Sequence, residues 1–245
     1  MNKFFYNVSV AIPLRQTFTY HSKQKIIPGT RVAVKFGSRS KLGIVTEEIK
    51  ITTIQTKAIH QVLDNEPIFS EVELKILAWA SDYYHHPVGE VLGSFLPTNL
   101  RNIKTVIDDK DSVAKVEIEN NPFQKNLTLQ QTEAVKTLSE LRGFAPTLLY
   151  GVTGSGKTEV YIRCIQEQLL QQKSVLLLAP EIALTPQLEQ RVKDQFGPAV
   201  GMYHSKMTPA KRYKAWKQFR SGEINILIGT RSAAMMSASK LGLII

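Results

Sequence analysis

The run Gly151-Val152-Thr153-Gly154-Ser155-Gly156-Lys157-Thr158 fits the pattern G-x-x-x-x-G-K-[ST] without a mismatch. Its residue types are those that hold nucleotide phosphates. Gly151, Gly154 and Gly156 have no side chain to obstruct a wrapped backbone, so successive N–H groups can turn inward on phosphate oxygens at the positive end of a following helix. Lys157 would reach the β- and γ-phosphates and the Thr158 hydroxyl would ligate Mg²⁺, which makes ATP with Mg²⁺ the expected ligand. The plainer reading is a glycine turn with an ordinary surface lysine. Against it stands the pattern's rarity, on the order of one chain in a hundred at this length.

A second set of residues could hold nucleic acid. Arg31, Lys35, Arg39 and Lys41 cluster around one turn, and Phe18, Tyr20 and Phe36 lie near them in sequence. Aromatics to stack bases beside cations to hold phosphates make a single-strand surface; a solvated loop over an aromatic core accounts for the same composition equally well. The adjacent His85 and His86 do not share a helix face as metal ligands would, and are read as structural. Cys164, the single cysteine, excludes an internal disulfide and a cysteine-cluster zinc site, and reads as a small buried apolar residue.

The elements that must position these groups fall into two patterns. Residues 3–49 alternate apolar and polar positions (Phe4, Tyr6, Val8, Val10; Phe18, Tyr20; Val32, Val34, Phe36; Ile44, Val45), with turns at Pro13, Pro28-Gly29, Gly37-Ser38 and Gly43, which predicts a small β barrel or sheet. Val72, Ile76, Trp79 and Tyr83 then recur at helical spacing, with Ser70 and Glu73 as a capping box. Residues 101–126 are polar and read as a linker between domains 1–100 and 127–245. Beyond it, strand and helix alternate, implying a parallel sheet with helices on both faces. Its strands are expected at Leu148–Tyr150, Val175–Ala179, Val200–Tyr203, Ile224–Ile228 and from Leu241, and its helices over Thr158–Gln172, Pro186–Phe196 and Pro209–Arg220, the last capped by Thr208. Ala179-Pro180-Glu181, His204-Ser205 and Gly229-Thr230-Arg231-Ser232 follow strand C-termini, where open α/β sheets bind ligands.

The 245 residues carry a net charge of +10, which favours a polyanionic partner. The charge is uneven: residues 1–60 hold ten Lys/Arg against two acids, residues 61–126 hold six against eleven, and residues 127–245 hold fifteen against eight. Two basic regions therefore flank an acidic one. No apolar run approaches the ~20 residues of a membrane span and no signal-peptide core opens the chain, so a soluble, cytoplasmic protein with no membrane partner is expected.

From Leu127 onward the chain resembles the first RecA-like lobe of superfamily 2 helicases. The carrying residues are Gly151 to Glu159 (motif I), Leu178 to Gln187 (motif Ia) and Ile228 to Ala233 (motif Ic); with Asp82-Tyr83-Tyr84-His85-His86-Pro87, Gly89 and Val91, nearly the whole chain resembles the PriA family of replication-restart helicases. The resemblance implies an ATP-dependent 3′-to-5′ DNA helicase that recognises stalled forks and assembles the primosome. Forked and single-stranded DNA, replication-restart proteins and single-stranded-DNA-binding protein would be its partners. It implies a pocket for a strand's 3′ end at Phe18 with Thr19, at Gly37 and at Lys57, with Thr230 and Arg231 as further DNA contacts beside Arg39 of the basic cluster, and Gln131, or alternatively Gln130, as the adenine-contacting glutamine. Thr19 stands where the family has an aspartate, and a neutral hydroxyl would hold a 3′-OH more weakly than a carboxylate.

Two departures matter. The interval 101–126 is too short for the family's winged-helix domain, and the family continues beyond the last strand into Val-Asp-Glu-Glu-His, a second lobe with an arginine finger, and a cysteine-rich module in which zinc is expected. No Asp or Glu follows Glu223, so these residues alone are expected neither to hydrolyse ATP efficiently nor to unwind DNA. The alternative function is a non-catalytic module binding forks or 3′ ends; a P-loop kinase is disfavoured because motif Ia and Thr230-Arg231-Ser232 suit strand tracking. Leu241–Ile245 reads as a strand covered on both faces, yet lacking neighbours, so the lobe is expected to be poorly stable alone.

Overall fold

The computed structural model describes residues 3–50, 54–105, 107, 123, 126–180, 185–238 and 240–245. The chain divides into two compact units, residues 1–112 and 113–245.

In the first unit, β1 (Phe4–Val10), β2 (Phe18–Ser22), β3 (Arg31–Phe36), β4 (Arg39–Ile49) and β5 (Lys57–Val62) close into a barrel in the order β1-β2-β5-β3-β4. Alternation supplies the interior: Tyr6, Val8 and Val10 of β1 meet Tyr20 of β2, Val32 and Val34 of β3 and Val45 of β4. Tyr20, one of the three aromatics left open between core and surface, is 4% exposed and belongs to this core. Phe18 and Phe36 are half-buried and pack edge to face, their ring centroids 5.0 Å apart.

Helices α1 (Glu71–Tyr83) and α2 (Val88–Phe95) follow. Ser70 and Glu73 close the expected capping box on α1. The apolar spacing marks the helix but not its buried face: Leu77 and Ala80 are buried, while Val72, Ile76, Trp79 and Tyr83 are exposed, with Trp79 stacked on Tyr83 at 5.1 Å. Gly89 lets α2 lie directly on β1, since a Cβ there would collide with the Val10 carbonyl. Arg31 corrects the sequence reading. It is not part of the basic surface but fully buried, with its Nη2 donating to Asp64 Oδ1 at 2.6 Å and its Nε to both carboxylate oxygens. Its remaining donors reach the Leu100 carbonyl at 2.8 Å and the Thr105 carbonyl at 3.1 Å, which fastens the segment beyond α2 to the barrel.

The second unit holds α3 (Leu129–Glu140), α4 (Lys157–Leu170), β6 (Ser174–Leu178), α5 (Thr185–Phe196), β7 (Val200–Tyr203), α6 (Pro209–Ser221), β8 (Ile226–Gly229) and β9 (Leu241–Ile244). The strands are all parallel, in the order β7-β8-β6-β9. Val175, Leu177, Ile226 and Ile228 face α4 and α5 through Ile162, Ile165, Leu169, Val192 and Phe196; Leu176 and Leu227 are buried on the other face. Thr208 caps α6 as expected, accepting from Lys211 N.

Two strand readings are corrected. Leu148–Tyr150 is not a strand, and Leu148 and Tyr150 are 85% and 89% exposed. An apolar run becomes a strand only beside a neighbour that satisfies its backbone groups, and no strand among the described residues pairs with it. β9 lies at the sheet edge, so Leu241 and Ile244 are exposed where burial on both faces was expected; Leu243 and Ile245 still pack on the core. Cys164 is buried as read, and its burial pushes the thiol pKa up to about 11.

Candidate nucleotide and DNA sites

The phosphate-loop residues emerge directly into α4. Gly154 and Gly156 have φ of +83° and +77°, the left-handed conformation that turns successive amides to one side and that other residues resist. Gly156 caps α4 with no side chain on the helix amides, which leaves the helix N-terminus suited to an anion. A Cβ on Gly156 would collide with Gln131 Nε2, and one on Gly151 would stand 2.7 Å from Ser155 Oγ. Lys157 folds over the loop, its Nζ donating to the Gly151 carbonyl at 2.6 Å and the Val152 carbonyl at 3.0 Å. Thr158 follows in the first turn of α4, half-buried, while Val152 and Thr153 are exposed. A loop stripped of side chains where a phosphate would lie, a lysine that reaches it and an adjacent hydroxyl fit ATP with Mg²⁺.

Gln131 is brought to this loop from α3: its Nε2 donates to the Ser155 carbonyl at 3.0 Å. Its Oε1 accepts from Thr128 N at 2.9 Å, and Thr128 Oγ1 accepts from Gln131 N, a capping box. One side chain therefore ties the start of α3 to the loop. Glu159 is a carboxylate near the loop whose role the sequence did not disclose. It is buried and paired with Arg191 Nη2, 3.0 Å from each oxygen, so it is a neutralised structural pair joining α4 to α5. The partners are 32 residues apart, and no local spacing signals such a pair.

At the C-terminal end of the sheet, Thr230 and Arg231 follow β8 at a 3₁₀ turn, Arg231–Ala233, with Arg231 exposed. His204 follows β7, and among the described residues His204 Nδ1 and Ser232 Oγ have no hydrogen-bond partner. Glu181 to Leu184 of the second motif lie outside the described residues.

In the barrel, Phe18 and Phe36 meet beside Gly37, whose φ of +59° forms the tip of the β3–β4 hairpin. Tyr20 lies level with Lys57, the exposed first residue of β5, and its hydroxyl donates to the Lys35 carbonyl at 3.1 Å. Phe18 and Phe36 thus meet beside the hairpin tip, with Lys57 on the strand next to β2, and Arg39, exposed, pairs across the hairpin with Phe36. Thr19 does not join them. Alternation puts it on the opposite face of β2, where its hydroxyl donates to Asn7 Oδ1 at 3.2 Å. His85 and His86 are exposed; His85 has φ +54° and its carbonyl accepts from Arg15 Nη2 at 2.6 Å. No cluster of three metal-ligating side chains occurs among the described residues, and none of their helices is long and apolar enough to cross a membrane.

A closed β barrel carrying an aromatic and basic hairpin, and a parallel-sheet lobe opened by a phosphate-binding loop, define the class: residues 7–97 match the family described as 3′DNA-binding domain (3′BD), and residues 128–245 match DEAD/DEAH box helicase. The chain is similar to "Replication restart protein PriA" of Haemophilus influenzae (31% identical, 97% of this chain and 43% of that protein) and of Helicobacter pylori J99 (35%, 93% and 34%), and over a shorter stretch to that of Synechocystis (47%, 49% and 14%). The chain belongs to the PriA family. It spans less than half the length of these relatives. The Haemophilus match runs over 314 aligned positions, more than this chain has residues, so that relative holds segments this chain lacks; the Helicobacter match runs over 228.

Proposed function

We propose that these residues are the fork-recognising and nucleotide-binding part of an ATP-dependent 3′-to-5′ DNA helicase of replication restart, working in the cytoplasm with single-stranded-DNA-binding protein and other restart proteins. Residues 1–100 act as the 3′-end DNA-binding domain, 101–126 as a linker without a winged helix, and 127–245 as the first helicase lobe. The observation that carries this is the loop at Gly151–Thr158, wound by two left-handed glycines into the start of α4 with Lys157 folded across it.

In this reading the backbone amides of residues 154–158 and Lys157 hold the β- and γ-phosphates, and Thr158 is the Mg²⁺ ligand. The nucleotide and its metal supply the phosphoryl group and the charge neutralisation for its transfer. Gln131 orients the loop from outside and contacts the adenine. Phe18, packed edge to face against Phe36, receives the terminal base, with Gly37 giving close backbone approach and Lys57 and Arg39 the phosphates. Thr19 holds the 3′-hydroxyl only if it leaves Asn7. Thr230 and Arg231 contact the strand tracked by the lobe. A zinc module belongs to parts of the family outside these residues.

The competing reading is a non-catalytic DNA-binding module, favoured by the exposure of Leu148 and Tyr150, which leaves the loop's leading segment outside the sheet. Calorimetric titration with ATP and Mg²⁺ decides. The helicase reading expects saturable binding by the chain and at least a tenfold loss in Lys157→Ala, which removes a charge-assisted donor, with fork binding retained. Equal affinity in the variant overturns it. Equal binding of forks ending in 3′-OH and 3′-phosphate overturns the end pocket.

A further inference from the structure

The lobe segregates its charge onto one helix that neither the phosphate loop nor the Thr230–Arg231 turn uses. Helices α4 and α5 are balanced: Lys157 and Arg163 stand against Glu159 and Glu167 in α4, and Arg191 and Lys193 against Glu189 and Asp194 in α5. Helix α6 holds Lys211, Arg212, Lys214, Lys217 and Arg220 and no acid. We propose that the outer face of α6, with Lys206 in the turn before it, holds the phosphate backbone of a duplex DNA arm; the inference rests on the reading that the lobe binds DNA.

Packing sorts these cations into two groups. Ala215, Trp216 and Phe219 are buried and define the inner face of α6. Arg212 and Arg220 belong to that packing. Arg212 Nη2 donates to the Tyr203 hydroxyl at 3.3 Å with its guanidinium over the Tyr203 ring, and Arg220 Nη1 donates to Ser237 Oγ at 3.1 Å with its guanidinium over the Trp216 ring. Lys211 and Lys214 stay outside and exposed, three residues apart and so neighbours on the helix surface, their Cβ atoms about 5–6 Å apart. Lys206 is exposed in the turn that Met207 N closes by donating to the His204 carbonyl at 3.2 Å. None of the three forms an ion pair with a described residue. Local electrostatics work against this arrangement: Lys211 stands in the first turn, at the positive end of the helix dipole, and Lys214 adds like-charge repulsion beside it. An anion bound outside the helix relieves both.

The place and composition of the face select the ligand. Tyr203 of β7 and Gly229 of β8 are paired in register, and Thr230 N donates to the Tyr203 carbonyl at 3.4 Å. The turn carrying Lys206 and the turn carrying Arg231 therefore leave the same end of the sheet from adjacent strands. A single-strand surface sets cations beside exposed aromatics on which bases stack. Residues 205–221 offer none: Trp216 is 2% exposed, and Tyr213 is half-buried with its ring 6.1 Å from that of Trp216. Cations without a stacking platform suit a duplex, whose bases face inward and whose phosphates meet the protein. An acidic protein partner would draw on apolar or aromatic anchors, and no large apolar side chain is exposed on this stretch.

The test uses the full chain and two probes that share one single strand: the strand alone, and the strand continued into a duplex. The wild type should bind the partial duplex more tightly. In Lys211→Gln with Lys214→Gln, affinity for the partial duplex is expected to fall about five- to twentyfold, while affinity for the strand alone stays the same. The slope of log K against log salt for the partial duplex should shrink by about 1.8, two duplex phosphates. Arginine at both positions should restore affinity and slope, and Arg231→Gln should weaken both probes alike. Unchanged affinity and slope for the partial duplex in the double variant overturns the proposal. An equal loss on both probes assigns the lysines to the tracked strand and also overturns it. Polyglutamate bound by the wild type and lost by the double variant, with the partial duplex unaffected, assigns the face to an acidic protein and overturns it as well. If Arg231→Gln changes neither probe while the double variant loses the duplex alone, the strand contact at Thr230 and Arg231 fails and the α6 site stands. If the wild type binds neither probe, the DNA-binding reading fails and the α6 site with it.

Discussion

Every strand of the barrel has two hydrogen-bonded neighbours, whereas in the lobe β7 and β9 have one each and the segment feeding the phosphate loop has none among the described residues. The two units are similar in length and both read as β-containing in sequence, so the difference lies in closure. A barrel buries its own edges; an open parallel sheet leaves its terminal strands to whatever lies beyond them. In the barrel an alternating run is therefore enough to fix a strand and its inward face, and in the lobe an apolar run becomes a strand only where a neighbour pairs with it, as at β6–β9 but not at Leu148–Tyr150. The functional groups divide in the same way: the aromatic hairpin is held by a closed shell, while the phosphate loop hangs between an exposed segment and a well-packed helix.

The largest effect expected from this contrast is at Arg31–Asp64. Asp64→Ala leaves a fully buried guanidinium without its carboxylate, which costs roughly 3–5 kcal/mol. Amide hydrogen exchange should accelerate across β1–β5 while β6 and β8 keep their protection, because the pair lies wholly within the barrel unit. Replacing both partners, Arg31→Met with Asp64→Leu, should recover much of the loss. Equal acceleration in both units would show that they unfold together and would end the comparison drawn here.

A smaller effect separates the lobe's core from its edge. The Cys164 thiol titrates at about 11 in the folded lobe because burial disfavours the thiolate, against an ordinary value of 9.0. The folded state therefore binds more protons than the unfolded one between these values. The associated stability is fully present below pH 9 and is lost as pH rises toward 11, by on the order of 2 kcal/mol. Denaturant melting of the lobe, followed through the buried Trp216, should weaken over this window by more in the wild type than in Cys164→Ala. The same slope in both would mean that the thiol opens to solvent and that α4 is less firmly packed than its burial states.

What could be read in the sequence follows the range of the interactions involved. Ser70 with Glu73, Thr208 with Lys211, and the glycines of the loop act over three or four residues, and a local pattern captures them. The alternation of Tyr6, Val8 and Val10 signalled the barrel for the same reason. Arg31 was misread as surface because its partners lie 33, 69 and 74 residues away, and nothing nearby distinguishes a buried guanidinium from Lys35 or Arg39. The resemblance placed Thr19 with Phe18 in one pocket, yet neighbours on a strand turn their side chains to opposite faces, and Thr19 bonds to Asn7. On α1 the aromatic stripe and the Leu77–Ala80 stripe both have helical spacing, and only the rest of the unit decides which is covered. Gln131 was legible as a candidate, but its simultaneous hold on Thr128 and Ser155 was not.

The smallest effect expected is the sharpest test of the open side of the lobe. Leu148 precedes the phosphate loop in an apolar run, and in a strand covered on both faces its truncation to alanine would create a cavity costing roughly 2–5 kcal/mol. In the structure it is 85% exposed and unpaired, so Leu148→Ala should change stability by no more than about 0.5 kcal/mol, the range of exposed substitutions. Leu177→Ala, in the core of β6 on the same sheet, should show the full loss and calibrates the measurement. Denaturant midpoints at fixed m-value report both. A loss at Leu148 approaching that at Leu177 would mean that the segment enters the sheet in solution and that the loop is held from both sides as the barrel's hairpin is. A negligible loss would mean that the phosphate loop is positioned by α4, Gln131 and its own left-handed glycines alone.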